Sequence, residues 1–311
     1  MPNDAKKITR LVDSCTETSN AEMLPIRLAS IRTIASPLRY PGGKSSLSSF
    51  MADVVESCGC RRGLYVEPYS GGAGIALRLL FSGVVSKIVI NDFDPAVYAF
   101  WNSAVNDSSN FLELFDSTEV TIEEWKRQKA ILASPCNELE LGFAFFFINR
   151  TSRSGVSTGG VIGGLNQAGR YRVDARYNRK ALREKLRAIA AASASITVSN
   201  EDGAKVVEGI SGCRNSFMYI DPPYVAKGKS LYMNSFGELS HSSLAEVLLS
   251  HQSSKWLLTY DDHPMIRELY GNNVIGTYAL NYCAYRRRCA SELMIASNFM
   301  KPRIDKLFKE A

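Results

Sequence analysis

The sequence predicts an α/β protein: a mainly parallel, twisted sheet with helices between its strands and a helical, loop-rich module set into it. Three observations predict this. Short apolar runs, several of them β-branched, alternate with stretches of helical spacing, the pattern of βαβ units. One run passes straight into a glycine-rich turn, and others end in acidic residues. Between residues 99 and 193 the alternation stops, and aromatics, glycines and arginines take over.

The elements follow in order. Leu64–Glu67 is a first strand, and Ile75–Phe81 has helical spacing with Gly83 as a stop. Lys87–Asn91, holding Ile-Val-Ile, is a second strand. Asp94 then caps a helix that has Pro95 at its first position. Residues 97–149 read as helical and aromatic-rich, and 151–169 as a glycine, serine and threonine loop. Loops of that length in compact domains are usually functional or disordered. Ile196–Ser199, Phe217–Ile220, Trp256–Tyr260 and Leu293–Ala296 are further strands. The expected organisation is an N-terminal extension over 1–35, one α/β domain from 36–98 and 194–300, an inserted module at 99–193, and a tail at 301–311.

The bulk composition is that of an ordinary globular protein, 45% hydrophobic and 22% charged. The most apolar stretch, Leu141 to Ile148, is too short to span a bilayer, and the first residues lack the apolar core of a secretion signal. A cytoplasmic protein that avoids membranes is expected. The seven cysteines are scattered, and only Cys58 and Cys60 lie close together, so reduced thiols and no metal are expected. The net charge is +6, but between Arg150 and Arg187 there are ten basic residues and two acidic ones. A basic patch on a near-neutral body suggests a polyanionic partner, while the helical part, 178–188, also reads as a solvated helix face.

Four motifs carry chemistry. In Tyr65-Val66-Glu67-Pro68-Tyr69-Ser70-Gly71-Gly72-Ala73-Gly74 a strand meets a glycine-rich turn and then a helix, so backbone and helix N–H groups face a ligand at the sheet's carboxyl edge. Asp92 ends the second strand, where an ionised carboxylate suits the two hydroxyls of a ribose. Asp221-Pro222-Pro223-Tyr224 follows an apolar run: an acid oxygen and a proline carbonyl can both accept from one exocyclic amine, and a tyrosine beside them can stack on its base. Leu38 to Ser45 contains Gly-Lys-Ser but has leucine where a phosphate loop needs glycine, and no strand precedes it.

Together these motifs resemble those of the DNA adenine methylase (Dam) family of N6-adenine methyltransferases. RYPGGK, EPYSGGAG, NDFDP and DPPY occur in the family's order, as do FFFINRTSRSG, GGVIGGLNQ, YRVDARYN, KGKSLYMNSF, WLLTYDDHPMIRELY and SELMIAS, across residues 36–298. The resemblance implies a Rossmann-like methyltransferase domain using S-adenosyl-L-methionine. It also implies a cofactor site of Tyr40, Lys44, Glu67, Tyr69, Gly71, Gly74, Asp92 and Asp221, with Asp202 as a third, looser acid. Asp221, Pro222, Pro223 and Tyr224 would grip a flipped-out adenine. Arg150, Arg153, Arg170, Arg172, Arg176, Arg179 and Lys180 would hold double-stranded DNA. A monomer is expected, with a cognate restriction endonuclease as a further partner. The rival readings are methylation of cytosine N4, an RNA substrate, or a catalytically silent DNA-binding protein. Pro41 departs from the family pattern, which often has alanine there.

Overall fold

The computed structural model describes residues 24–26, 29–33, 35–40, 42–225, 237–284 and 286–310. The first 23 residues, Pro41 and the KGKSLYMNSF segment lie outside them. Among the described residues seven strands form one sheet: β1 (Leu64–Glu67), β2 (Lys87–Asn91), β3 (Ile196–Ser199), β4 (Ser216–Ile220), β5 (Trp256–Asp261), β6 (Val274–Ala284) and β7 (Arg286–Ala296). Their order is β3-β2-β1-β4-β5-β7-β6. β1 to β5 run parallel, and β7 pairs antiparallel with both β5 and β6. The chain steps outward from β1 through β2 to β3, then crosses back so that β4 lies on the other side of β1. That reversal opens a crevice at the carboxyl ends of β1 and β4, the usual ligand position in such sheets.

Side chains alternate along each strand, and both faces are buried. Tyr65, Ile88, Ile90, Phe217, Tyr219 and Leu257 enter one core, and Val66, Met218, Ile220, Trp256 and Leu258 the other. This is why the inner strands read as unbroken apolar runs. The second core is closed by α8 (Gly203–Ile210), α9 (Glu238–Ser250) and α10 (Pro264–Tyr270). The first is closed by α1 (Ser48–Ser57), α2 (Gly74–Phe81), α3 (Pro95–Asn106) and α7 (Arg179–Ala191). Asp94 caps α3 by accepting from Ala96 N–H, with Pro95 at the first helical position.

The chain between β2 and β3 also holds α4 (Ser108–Ser117), α5 (Ile122–Ala133) and α6 (Glu138–Thr151). Residue 99 falls inside α3, and Phe100, Trp101, Phe146 and Leu186 belong to the same buried cluster as the sheet. Thr151 ends α6, and residues 152–169 carry no strand or α-helix but are tied down: Ser152 bridges to Val161, and the Asn149 amide donates to the carbonyls of Arg39 and Gly155, both at 2.9 Å.

The expected tail at 301–311 is mostly helix. Residues 301–310 form helix α11 (Lys301–Glu310). Ile304, Leu307 and Phe308 share one face of it, Ile304 is fully buried, and Phe308 stacks on Phe50 of α1 with ring centroids 5.9 Å apart. The high charge of this segment lies on the opposite face, which made it read as a tail. The described part of the extension is held as well. Leu24 is buried and its N–H donates to Thr277 O, and Ile31 N–H donates to Ser48 Oγ at 2.9 Å.

Candidate active site

The predicted residues converge on the carboxyl edge of the parallel strands. Glu67 ends β1, Asp92 follows β2, Asp202 follows β3, Asp221 follows β4 and Asp261 ends β5. The parallel pairing brings the carboxyl ends of β1 to β5 to one edge of the sheet, which these acids share. Tyr40 packs against the glycine loop and Lys44 reaches Asp221 at that edge.

Gly71 has φ +45°, and a Cβ there would meet the Tyr40 ring at 2.5 Å. A Cβ on Gly72 would approach the Tyr40 Cβ at 2.9 Å. Gly71 and Gly72 therefore admit Tyr40 against the loop. Their backbone still faces the site: Gly71 N–H donates to Asp92 Oδ2 at 2.8 Å, and Trp101 Nε1 donates to Gly71 O at 2.8 Å. Ala73, the residue before α2, is left-handed at φ +46°, a conformation that costs a non-glycine residue energy. The Ser70 hydroxyl is buried without a hydrogen-bond partner among the described residues. Gly203, at the start of α8, admits the Tyr69 ring in the same way, since a Cβ there would lie 2.3 Å from it.

Asp92 Oδ1 also accepts from Asp94 N–H at 3.0 Å. Burial pushes its carboxyl up to about 7, against the pull of these two backbone bonds. Phe93 beside it is 56% exposed. Glu67 is buried and accepts from Ala76 N–H at 3.0 Å and Tyr65 OH at 3.2 Å, and burial pushes it up to about 8. Asp202 serves as the N-cap of α8, accepting from Ala204 N–H at 2.9 Å.

The densest polar cluster surrounds Asp221. Its Oδ1 accepts from Thr259 Oγ1 at 2.9 Å, and its Oδ2 lies 3.2 Å from Lys44 Nζ. Lys44 Nζ also lies 3.3 Å from Glu292 Oε1 and donates to Tyr224 OH. Tyr224 OH donates to Glu292, whose other oxygen accepts from Tyr278 OH at 2.6 Å. Burial pulls the Lys44 ammonium down, but the Asp221 and Glu292 carboxylates outweigh it and hold its pKa above the usual value. Glu292, Thr259, Tyr278 and Phe93 had no assigned role in the sequence reading. Phe93 could have been found as the aromatic next to Asp92, and Glu292 as an acid within the apolar SELMIA run.

The predicted basic residues divide in two. Arg153, Arg170, Arg172, Arg176 and Lys180 are exposed. Arg170 and Arg176 flank the ring of Tyr171 at 5.5 and 5.8 Å, and Tyr171 is itself 53% exposed. Arg179 is instead bound internally. Its guanidinium donates to Phe115 O at 2.5 Å and Thr118 O at 2.6 Å and lies over the Phe115 and Tyr177 rings. Arg150 donates to Pro37 O and Arg176 O, and burial with Arg39 and Arg176 nearby lowers it to about 10.

A family model described as D12 class N6 adenine-specific DNA methyltransferase matches residues 40–281. The chain is 24% identical over 231 residues to the type II methyltransferase M.MjaIII of Methanocaldococcus jannaschii, covering 68% of this chain and 77% of that protein. It is 22% identical over 261 residues to the type II methyltransferase M.CviBI of Paramecium bursaria Chlorella virus NC1A, covering 79% and 90%. Among solved structures, the rRNA methyltransferase aviRa from Streptomyces viridochromogenes overlaps 84% of this chain and 88% of its own at 14% identity, with a TM-score of 0.37.

Proposed function

This chain belongs to the D12 class of N6 adenine-specific DNA methyltransferases, and we propose that its donor is S-adenosyl-L-methionine and that Asp221-Pro222-Pro223-Tyr224 is its catalytic grip. The observation that carries the reading is the placement of Asp221 at the carboxyl end of β4, beside the β1–β4 crevice, within reach of Lys44.

The residues fit that donor. Asp92 offers carboxylate oxygens to a ribose, and the exposed Phe93 ring offers a flat apolar face beside it. Asp221 and Glu292 suit a cationic centre, Glu67 anchors the start of α2 behind the glycine loop by accepting from Ala76 N–H, and the Ser70 hydroxyl, without a partner among the described residues, is available to a polar group. Tyr40, Lys44, Tyr69, Gly71 and Gly74 complete the cradle, and Asp202 stands at its edge in addition to its capping role. When bound, S-adenosylmethionine supplies a methyl group already activated by its sulfonium charge.

The protein's task is to aim a poor nucleophile. The adenine N6 lone pair is delocalised into the ring. Asp221 and the Pro222 carbonyl accept the two N6 hydrogens, which favours a pyramidal nitrogen and directs its lone pair. A carboxylate has about four lone-pair sites, so Thr259 and Lys44 leave acceptor capacity on Asp221. Pro223 stiffens the turn, and Tyr224 stacks on the flipped base. The N6 proton becomes acidic once the nitrogen is alkylated and leaves to solvent.

Residues 99–193 act as the target-recognition module, inserted in sequence but sharing the sheet's core. The exposed Arg153, Arg170, Arg172, Arg176 and Lys180 contact phosphates or base edges, with Tyr171 among them. Arg150 and Arg179 brace that surface. The chain works as a monomer, and the naming of both relatives as type II methyltransferases supports a restriction endonuclease of matching specificity as a partner.

The test is transfer of tritiated methyl groups to duplex DNA, followed by digestion to nucleosides. N6-methyladenine is expected from the wild type. Asp221→Ala is expected to lose at least about 10²–10³-fold in rate while keeping its melting temperature and DNA affinity. A product other than N6-methyladenine, or an active Asp221→Ala enzyme, overturns the assignment.

A further inference from the structure

We propose that Glu292 is a positioning residue for methyl transfer: by sharing Lys44 with Asp221, it keeps acceptor capacity on Asp221 available to the target amine. The inference rests on the reading of Asp221 as the amine grip.

Glu292 sits where a carboxylate is costly. It is 1% exposed, on a strand whose next residues, Leu293, Met294 and Ile295, are fully buried. Its backbone pairs with Asp261 of β5 on one side and Tyr278 of β6 on the other, so the terminal hairpin carries it into the cluster at the end of β4. A buried charge persists only with partners, and Glu292 has Lys44, Tyr224 OH and Tyr278 OH.

The charge balance shows what this arrangement achieves. Asp221 alone would neutralise Lys44, so a second buried carboxylate is not needed to satisfy the lysine. With Asp221 as the lysine's sole counter-ion, the Asp221 oxygens would turn toward the ammonium, and the carboxylate would be a weaker acceptor for an amine. Glu292 takes part of that attraction at nearly equal distance, 3.3 Å against 3.2 Å. Burial pushes the Glu292 carboxyl up while the Lys44 ammonium pulls it down, and with both carboxylates ionised the trio carries one negative charge in excess, which also suits a cationic donor. The same carboxylate holds Tyr224 through its hydroxyl, so the acceptor and the stacking ring of one motif are fixed by one group.

The test is the single-turnover rate at saturating donor and DNA, with melting curves, for Glu292→Gln, Glu292→Asp, and Glu292→Gln in a Lys44→Met background. Asp221→Ala is run in parallel. Glu292→Gln is expected to lose about 10–100-fold in rate with unchanged KM for DNA. Glu292→Asp, which keeps the charge, is expected to recover most of that loss, and it carries the test should the amide variant not fold. If Glu292 acts through Lys44, the amide substitution adds little further loss once Lys44 is gone. A purely structural role predicts losses that multiply and that track the melting temperature. Rates within twofold of wild type for Glu292→Gln, or multiplying losses, overturn the proposal. An active Asp221→Ala enzyme instead overturns the reading of the grip beneath it.

Discussion

Asp92 is asked to do two things with one carboxylate. Its oxygens accept the Gly71 and Asp94 N–H groups, which pin the glycine loop to the end of β2. In the proposed function they also receive the hydroxyls of the donor's ribose, and for that the ionised form is needed. Burial pushes the group up to about 7, so the proton leaves across neutrality. Donor affinity should therefore rise between pH 6 and pH 8, as measured by calorimetry, and Asp92→Asn should bind weakly with that rise absent. A wild-type affinity flat over the same range would remove Asp92 from the ribose site. The effect on the fold has the opposite sign. The folded state keeps a proton that the unfolded chain releases at lower pH, so this group's contribution to stability is present under acidic conditions and fades as pH rises through about 7. Ionisation thus strengthens binding while it weakens the ligand-free fold.

At the level of elements, the glycine loop is a packing joint between β1, β2 and the Tyr40 segment. Gly71→Ala would put a Cβ into the Tyr40 ring at a positive φ. A loss of about 1–3 kcal/mol in stability is expected, read by denaturant unfolding, together with weaker donor binding as Tyr40 moves. A variant as stable as wild type would show that Tyr40 can vacate the loop freely. This joint also explains what the sequence made legible. The inner strands were readable because both their faces are buried, which leaves apolar runs, and Asp92 and Asp221 sit where two of those runs stop, whereas Tyr40 and Lys44 lie ahead of the first strand and were legible only through their motif. Only Leu293–Ala296 of the terminal hairpin was visible, because Gly276, Thr277 and Asn281 break up the apolar residues of β6 and the first half of β7 opens on three arginines. Glu292 escaped because its meaning lies in tertiary partners. Within one strand it reads as an isolated acid, and only the antiparallel pairing of β7 with β5 brings it to Lys44 and Tyr224.

The molecule as a whole separates its charges: acids line the carboxyl edge of the sheet, and arginines crowd the chain between α6 and the middle of α7. Counting charge along the sequence cannot tell which arginines face outward. Arg176 is exposed beside Tyr171, whereas Arg179 spends its guanidinium on the carbonyls that end α4. If the exposed group neutralises phosphates, DNA affinity should fall with salt at a log–log slope of roughly −0.9 per phosphate contact. Charge reversal at the two positions should then have different outcomes. Arg176→Glu should flatten the slope by about one contact and leave the melting temperature alone, because its side chain faces solvent. Arg179→Glu should lower the melting temperature by several degrees, because buried carbonyls lose charged donors and two aromatic rings lose their cation. Any change in its salt slope should follow from the loosened surface. Measuring both variants by fluorescence anisotropy across a salt series, with melting curves alongside, separates the roles. A slope unchanged in Arg176→Glu would mean that the basic run is a solvated face and that DNA is held elsewhere.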